Sequence, residues 1–187
     1  MILFINACVR RESRTRRLAQ TLLGRLHGEV TKVNLSETVL PALDEKTLAK
    51  RMALCEAGDF SDALFDLAKQ FAAADTVVIA APYWDLSFPT VLKRYLEAVS
   101  VCGVTFRYTP QGVPEGLCKA RKLYYVTTAG GPILDRSFGF GYVKALACGM
   151  FGIPECEMFS AENLDIWGAD AEAILRKSEQ EIREAIG

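Results

Sequence analysis

The chain has one histidine in 187 residues, no Cys-x-x-Cys pair, no excess of either charge and no long apolar run, and each shortage narrows what it can do. His27 has no second imidazole with which to share a metal. Its place near the end of a predicted helix, where a cation suits the macrodipole, gives it a structural role. Six cysteines (Cys8, Cys55, Cys102, Cys118, Cys148 and Cys156) stand far apart in the sequence, which argues against a zinc site or a dithiol motif and for reduced thiols. A formal net charge of -1 provides none of the basic excess that phosphate backbones require, so nucleic acid is not an expected partner. No apolar run approaches the roughly 18 residues of a membrane span, and residues 1–8 lack the basic start of a signal peptide. A cytoplasmic protein is expected, without a membrane partner.

What is present is enough apolar material, 50% of residues, to bury one core, and length predicts a single domain over residues 1–187. No internal repeat, low-complexity tract or linker interrupts it. Ile2 to Asn6 reads as a strand, Ser13 to His27 as a helix striped by Leu18, Leu22, Leu23 and Leu26, and Val30 to Leu35 as a second strand. Residues 36–58 are more polar and hold one weak helix near Glu45 to Cys55. Asp59 or Ser61 is positioned to cap a helix with Phe60, Leu64, Leu67 and Phe71 inward. Val77 to Ala81 is an unbroken small and β-branched run, as in a strand covered on both faces. An amphipathic helix with Phe88, Val91, Leu92, Tyr95, Leu96 and Val99 on one face follows it. Residues 100–120, rich in glycine and proline, suggest a long ordered loop or a small hairpin outside the sheet. Lys122 to Thr128 is a fourth strand, Gly141 to Phe151 a helix, Glu155 to Ser160 a fifth strand and Ala169 to Ala185 a closing helix.

Strands alternating with helices call for a parallel sheet with right-handed crossovers and helices on both faces. The expected fold class is therefore α/β, a flavodoxin-like three-layer sandwich whose five-stranded parallel sheet has the order 2-1-3-4-5. The dinucleotide alternative needs Gly-x-Gly-x-x-Gly after its first strand, and no glycine stands there.

In the order 2-1-3-4-5, the loops after strands 1, 3 and 4 meet where the strand order reverses. The first, Cys8 to Arg17, has five arginines against one glutamate, with Ser13 and Thr15 at the start of a helix. Free N–H groups, hydroxyls and guanidinium at a helix N-terminus suit a monophosphate. Cations there oppose the macrodipole and so call for an anion. The second loop, Pro82 to Ser87, can lay Trp84 and Leu86 against a ring while its amides reach the ring's polar edge. The third, Thr127 to Gly131, offers hydroxyls and unhindered N–H groups. A phosphate at one end and a flat polar ring at the other describe flavin mononucleotide, FMN.

Four stretches then resemble one family. They are Ser13-Arg14-Thr15; Ala81-Pro82-Tyr83-Trp84-Asp85-Leu86 with Leu92-Lys93-Arg94-Tyr95 behind it; Gly103-Val104-Thr105-Phe106-Arg107-Tyr108; and Thr128-Ala129-Gly130-Gly131. In order and spacing they resemble the flavodoxin-fold NAD(P)H-dependent FMN oxidoreductases, in the branch of azoreductases and quinone reductases. The resemblance implies that Ser13, Arg14 and Thr15 hold the phosphate. Pro82, Tyr83, Trp84, Asp85 and Leu86 would border the isoalloxazine ring, and Thr128, Ala129, Gly130 and Gly131 its pyrimidine edge. Asp85 stands where the family has asparagine, placing an anion near a ring that becomes negative on reduction.

The activity so implied is hydride transfer from NADH or NADPH through flavin N5 to a small-molecule acceptor such as a quinone or azo compound, by a ping-pong scheme. No metal is called for, and Tyr108 is a candidate proton donor. The resemblance also implies a homodimer, with Phe106, Tyr108, Phe138, Phe140 and Tyr142 as candidate aromatics at the shared pocket. Two other readings stay open at this point: a single-electron flavodoxin-like carrier, and a flavin or nucleotide sensor without turnover.

Overall fold

A computed structural model describes residues 1–187. Its centre is a parallel sheet of β1 (Ile2–Asn6), β2 (Val30–Asn34), β3 (Thr76–Ala80), β6 (Lys122–Thr128) and β7 (Glu155–Ala161), in the order β2-β1-β3-β6-β7. This is the expected 2-1-3-4-5 once the hairpin of β4 (Phe106–Tyr108) and β5 (Pro114–Gly116) is set apart as a separate two-stranded sheet. The register is continuous across the middle, with Leu3 beside Val77 and Val77 beside Leu123.

Side chains alternate across the strands and divide the core in two. Leu3, Ile5, Val77, Ile79 and Tyr125 pack with Phe71, Leu92, Tyr95 and Leu96, which come from α3 (Asp66–Ala73) and α4 (Thr90–Val99). On the opposite face, Ile2, Phe4, Val78, Ala80, Tyr124 and Val126 meet α1 (Arg14–Leu23) and α6 (Ala171–Ala185) through Leu18, Leu22, Leu175 and Ile182. Covered on both faces, β1 is buried along its whole length, which explains its unbroken apolar run.

Several local expectations shift. The first helix stops at Leu23, so His27 lies exposed a few residues beyond its end. The capping carboxylate before α3 belongs to Asp62, which accepts from the Leu64 N–H, rather than to Asp59 or Ser61, and Phe65 is buried in place of Leu64. The weak helix is α2 (Glu45–Ala57), which buries no residue. Asp44 caps its start, Gly58 ends it in the left-handed conformation, and Arg51 ties it to the carbonyls of Glu97 and Ser100. The helix expected from Gly141 is α5 (Tyr142–Leu146) with a π-helical turn on each side, Ser137–Gly141 and Ala147–Phe151. No helix is long and apolar enough to cross a membrane.

At the amino edge of the sheet the Asp75 carboxylate accepts from Lys119 at 2.6 Å and from the Met1 ammonium. These partners, Lys119 first, lower its pKa from 3.8 to about 2. A carboxylate held below its unfolded value stabilises the fold above that value, and the contribution is lost as pH falls toward the folded one. Between about pH 4 and pH 2, Asp75→Asn is therefore expected to flatten the loss of melting temperature seen in the wild type. The effect is small because the group is exposed. Parallel slopes for the two proteins across that window would contradict the assignment.

Candidate functional site

The loops leaving the carboxyl ends of β1, β3, β6 and β7 enclose a cleft of about 410 Å³. Its floor on one side is the start of α1. Ser13 is the N-cap there, its Oγ accepting from the Arg16 N–H at 3.2 Å, which leaves the first-turn N–H groups of Arg14 and Thr15 without intrahelical acceptors. Thr15 and Thr128 share a hydroxyl hydrogen bond of 2.6 Å and are both buried, so the first and third expected loops are joined directly. Tyr83 donates its N–H to the Thr128 carbonyl at 3.0 Å and brings the second loop to the same point.

The arginine cluster is less free than its composition suggests. Arg17 is held by Glu172 at 2.8 Å and Glu179 at 2.7 Å, and Arg16 folds onto the carbonyls of Arg10 and Arg11. These pairings answer the cations crowded at the start of α1, which has no acidic residue in its first turn. Arg14 pairs with Asp165 at 2.7 Å, both side chains about half exposed or more. Arg10 also lines the cleft.

Asp165 and Leu164 come from a fourth loop, after β7, that sequence reasoning missed. Three main-chain bonds join it to the third loop: Asn163 to Gly131, Leu164 to Ala129 and Asp165 to Gly130, each N–H to carbonyl. A Cβ on Gly130 would lie 2.6 Å from the Asp165 carboxylate, so a larger residue would push that side chain aside. The loop's one visible signal is Asn163, a residue that tolerates the left-handed conformation and adopts it with φ 64°. Cys8, Val9, Arg10 and Glu12 also line the cleft and were not singled out as site residues. The Cys8 thiol is buried, and burial raises its pKa.

Of the expected site residues, Ser13, Arg14, Thr15, Pro82, Tyr83, Trp84, Thr128, Ala129 and Gly130 line the cleft. Gly131 stands beside it without lining it. The Ala129 N–H is committed to the Ala161 carbonyl, which leaves those of Gly130 and Gly131 as the unpaired donors of the third loop. Asp85 and Leu86 instead border a second cavity of about 390 Å³, with Ser87, Ser137, Phe138 and Tyr142. Tyr108, on β4, is exposed, packs edge-on against Phe106 and borders neither cavity.

The second loop is closed by reciprocal main-chain bonds between Trp84 and Ser87, of 3.1 and 2.8 Å. Asp85 and Leu86 occupy the centre of this turn with φ of 50° and 66°, the left-handed values a two-residue hairpin requires. Neither is glycine; Asp85 tolerates the conformation, but for Leu86 it costs about 1–2 kcal/mol. Ser87 holds the strained turn in place by donating its hydroxyl to the Phe138 carbonyl at 2.6 Å. Strain of this kind concentrates at ligand-binding sites. Leu86→Gly is expected to raise stability by about 1 kcal/mol in chemical denaturation. A loss of stability would show that the Leu86 side chain, and not the turn, sets the balance.

The cleft suits a phosphorylated ring. Unpaired N–H groups and hydroxyls surround its α1 end, and the Tyr83–Trp84 segment and unpaired glycine amides border the rest.

Comparison with known proteins agrees with this geometry. The model of the Flavodoxin-like fold family matches residues 1–186. An FMN-dependent NADH:quinone oxidoreductase of Clostridium perfringens is 32% identical, over 99% of this chain and 96% of its own length. A second enzyme of that description, from Clostridium acetobutylicum, is 40% identical over 63% of this chain and 60% of its own. Among solved structures, an FMN-dependent NADH-azoreductase of Bacillus anthracis in complex with FMN superposes with a TM-score of 0.82 at 22% identity, covering 99% of this chain and 96% of that one. At that identity the likeness speaks for the fold.

Proposed function

The chain belongs to the flavodoxin-like fold family, and from that premise we propose that it is an FMN-dependent NADH:quinone oxidoreductase, one domain over its whole length. The observation that supports this most strongly is the meeting of the three loops around the buried Thr15–Thr128 hydroxyl pair, which makes a single cleft polar at one end and aromatic at the other. Ser13, Arg14 and Thr15 would bind the phosphate, Pro82, Tyr83 and Trp84 would border the ring, and Thr128 and Gly130 would face its pyrimidine edge. FMN, when bound in this cleft, would supply the redox chemistry, hydride transfer from NADH through flavin N5 to a quinone or azo acceptor.

The protein's own part is binding and electrostatics. The unpaired N–H of Gly130, which lines the cleft, would donate to a ring edge that gains negative charge, with that of Gly131 beside it and without reorganising to do so. Asp85 borders the second cavity and not the cleft, which spares such a ring its carboxylate. That second cavity, with Leu86 and Phe138 exposed around it, is the proposed place of the acceptor. Donor and acceptor would use one open face in turn, which is the basis of the ping-pong scheme. The same exposed apolar residues support a homodimer in which a second subunit helps wall this pocket. The unpaired state of all six thiols fits a cytoplasmic setting.

Anaerobic stopped-flow mixing of the FMN-loaded protein with NADH tests the reading. Rapid bleaching of the flavin band, followed by recovery on adding a quinone, is expected. Slow bleaching by both NADH and NADPH would exclude the enzyme, and bleaching only by a protein reductant would favour a single-electron carrier.

A further inference from the structure

The sequence holds Cys148 and Cys156 with seven residues between them and no motif to link them, yet the fold brings their sulfurs to 3.7 Å, at van der Waals contact. Cys148 lies in the π-helical turn Ala147–Phe151, and Cys156 is on β7, the edge strand of the sheet. We propose that the two thiols form an oxidation site, a dithiol that a hydroperoxide converts to an intramolecular disulfide.

Three features favour this pair over the other thiols. Cys148 is exposed and can meet an oxidant, whereas Cys8 is buried. Burial, followed by the neighbouring Cys148, pushes the Cys156 thiol up to about 12, while the Lys144 charge opposes both. Exposure sets the roles: Cys148 is open to the oxidant and reacts first, and the half-buried Cys156 behind it resolves. The chain between them also has slack. A disulfide needs the sulfurs about 1.7 Å closer than they stand. The intervening turn has π geometry and open space around Gly149.

The chemistry balances with the hydroperoxide as the only co-reactant. The Cys148 sulfur attacks a peroxide oxygen, the O–O bond breaks, and water or an alcohol leaves with the thiol proton, giving a sulfenic acid. The Cys156 sulfur then attacks that sulfur, the S–S bond forms as the S–O bond breaks, and the departing hydroxide takes the Cys156 proton as water. Two thiols lose two electrons and two hydrogens, and the peroxide gains them.

The full-length protein, reduced and desalted, is treated with hydrogen peroxide, and its free thiols are counted before non-reducing peptide mapping by mass spectrometry. Two of the six thiols should disappear, with a mass loss of two hydrogens and a linked peptide joining Cys148 to Cys156. Cys148→Ser should abolish the link and leave Cys156 reduced. Cys156→Ser should stall Cys148 as a sulfenic acid that dimedone traps, and Cys102→Ser, which removes the other exposed thiol, should leave the link intact. The wild-type map alone decides the matter if a variant misfolds. Oxidation of either thiol to sulfinic acid without a link, links between molecules only, or survival of both thiols while others oxidise would each overturn the proposal.

Discussion

Replacing Arg14 by alanine should weaken FMN binding by roughly ten- to a hundredfold while leaving the melting temperature almost unchanged. The size follows from the bond lost: a hydrogen bond to a charged group contributes about 1.5–3 kcal/mol, and about 1.4 kcal/mol is a factor of ten. The fold should not notice, because the only ion pair Arg14 makes is with Asp165 at the surface, and such pairs contribute about 0–1 kcal/mol. Asp165→Asn should act in the opposite direction. It removes a carboxylate from the rim of a site proposed for a phosphate and releases the guanidinium, so affinity should rise several-fold. Flavin fluorescence titrations of the three proteins measure both effects. Equal affinities would remove Arg14 from the phosphate site, and weaker binding by the Asp165 variant would mean that the ion pair positions the arginine rather than competing for it.

Gly116→Ala should cost the most stability. Gly116 ends β5, where the hairpin lies against the π-helical turn, and a Cβ built there would stand 2.1 Å from the Gly152 nitrogen and 2.2 Å from the Phe151 carbonyl carbon. Both obstacles are backbone, so no rotamer change relieves them. Gly152 is itself fixed, in the left-handed region at φ 75°. The hairpin must lift off or the turn must shift, and overpacking of this kind costs about 3 kcal/mol or somewhat more. For a chain of this length that lowers the melting temperature by about 6–12 °C. Gly131→Ala provides the contrast, since a Cβ there meets nothing within 4 Å and φ is not positive. A Gly116 variant melting with the wild type would show that the hairpin is not packed as described.

The central strands were legible in the sequence because a strand covered on both faces must be continuously apolar, as in β1 and β3. Their alternation with helices then gave the sheet order, and the order gave the convergence of three loops. What stayed hidden depends on residues far apart in the chain. Glu172 and Glu179 lie more than 150 residues from the Arg17 they neutralise, so the cluster looked freer than it is. The fourth loop escaped notice because Leu164 and Asp165 have neither the glycines nor the hydroxyls that marked the others. Asp85-Leu86 lacks the glycine that announces a hairpin turn, and only the bonds between Trp84 and Ser87 reveal it. The π-helical turns flanking α5 have no period that apolar spacing can show, and they bring Cys148 to Cys156 without any motif.

The claim on which the rest stands is that one cleft at the carboxyl edge of the sheet grips FMN by its phosphate and its ring. Titrating flavin-free protein with FMN and with riboflavin, which has the ring but no phosphate, tests it directly. FMN should bind with one equivalent per chain and riboflavin at least a hundredfold more weakly, since the α1 end of the cleft then has nothing to hold. Equal affinity for the two flavins, or no uptake of FMN at all, would contradict it.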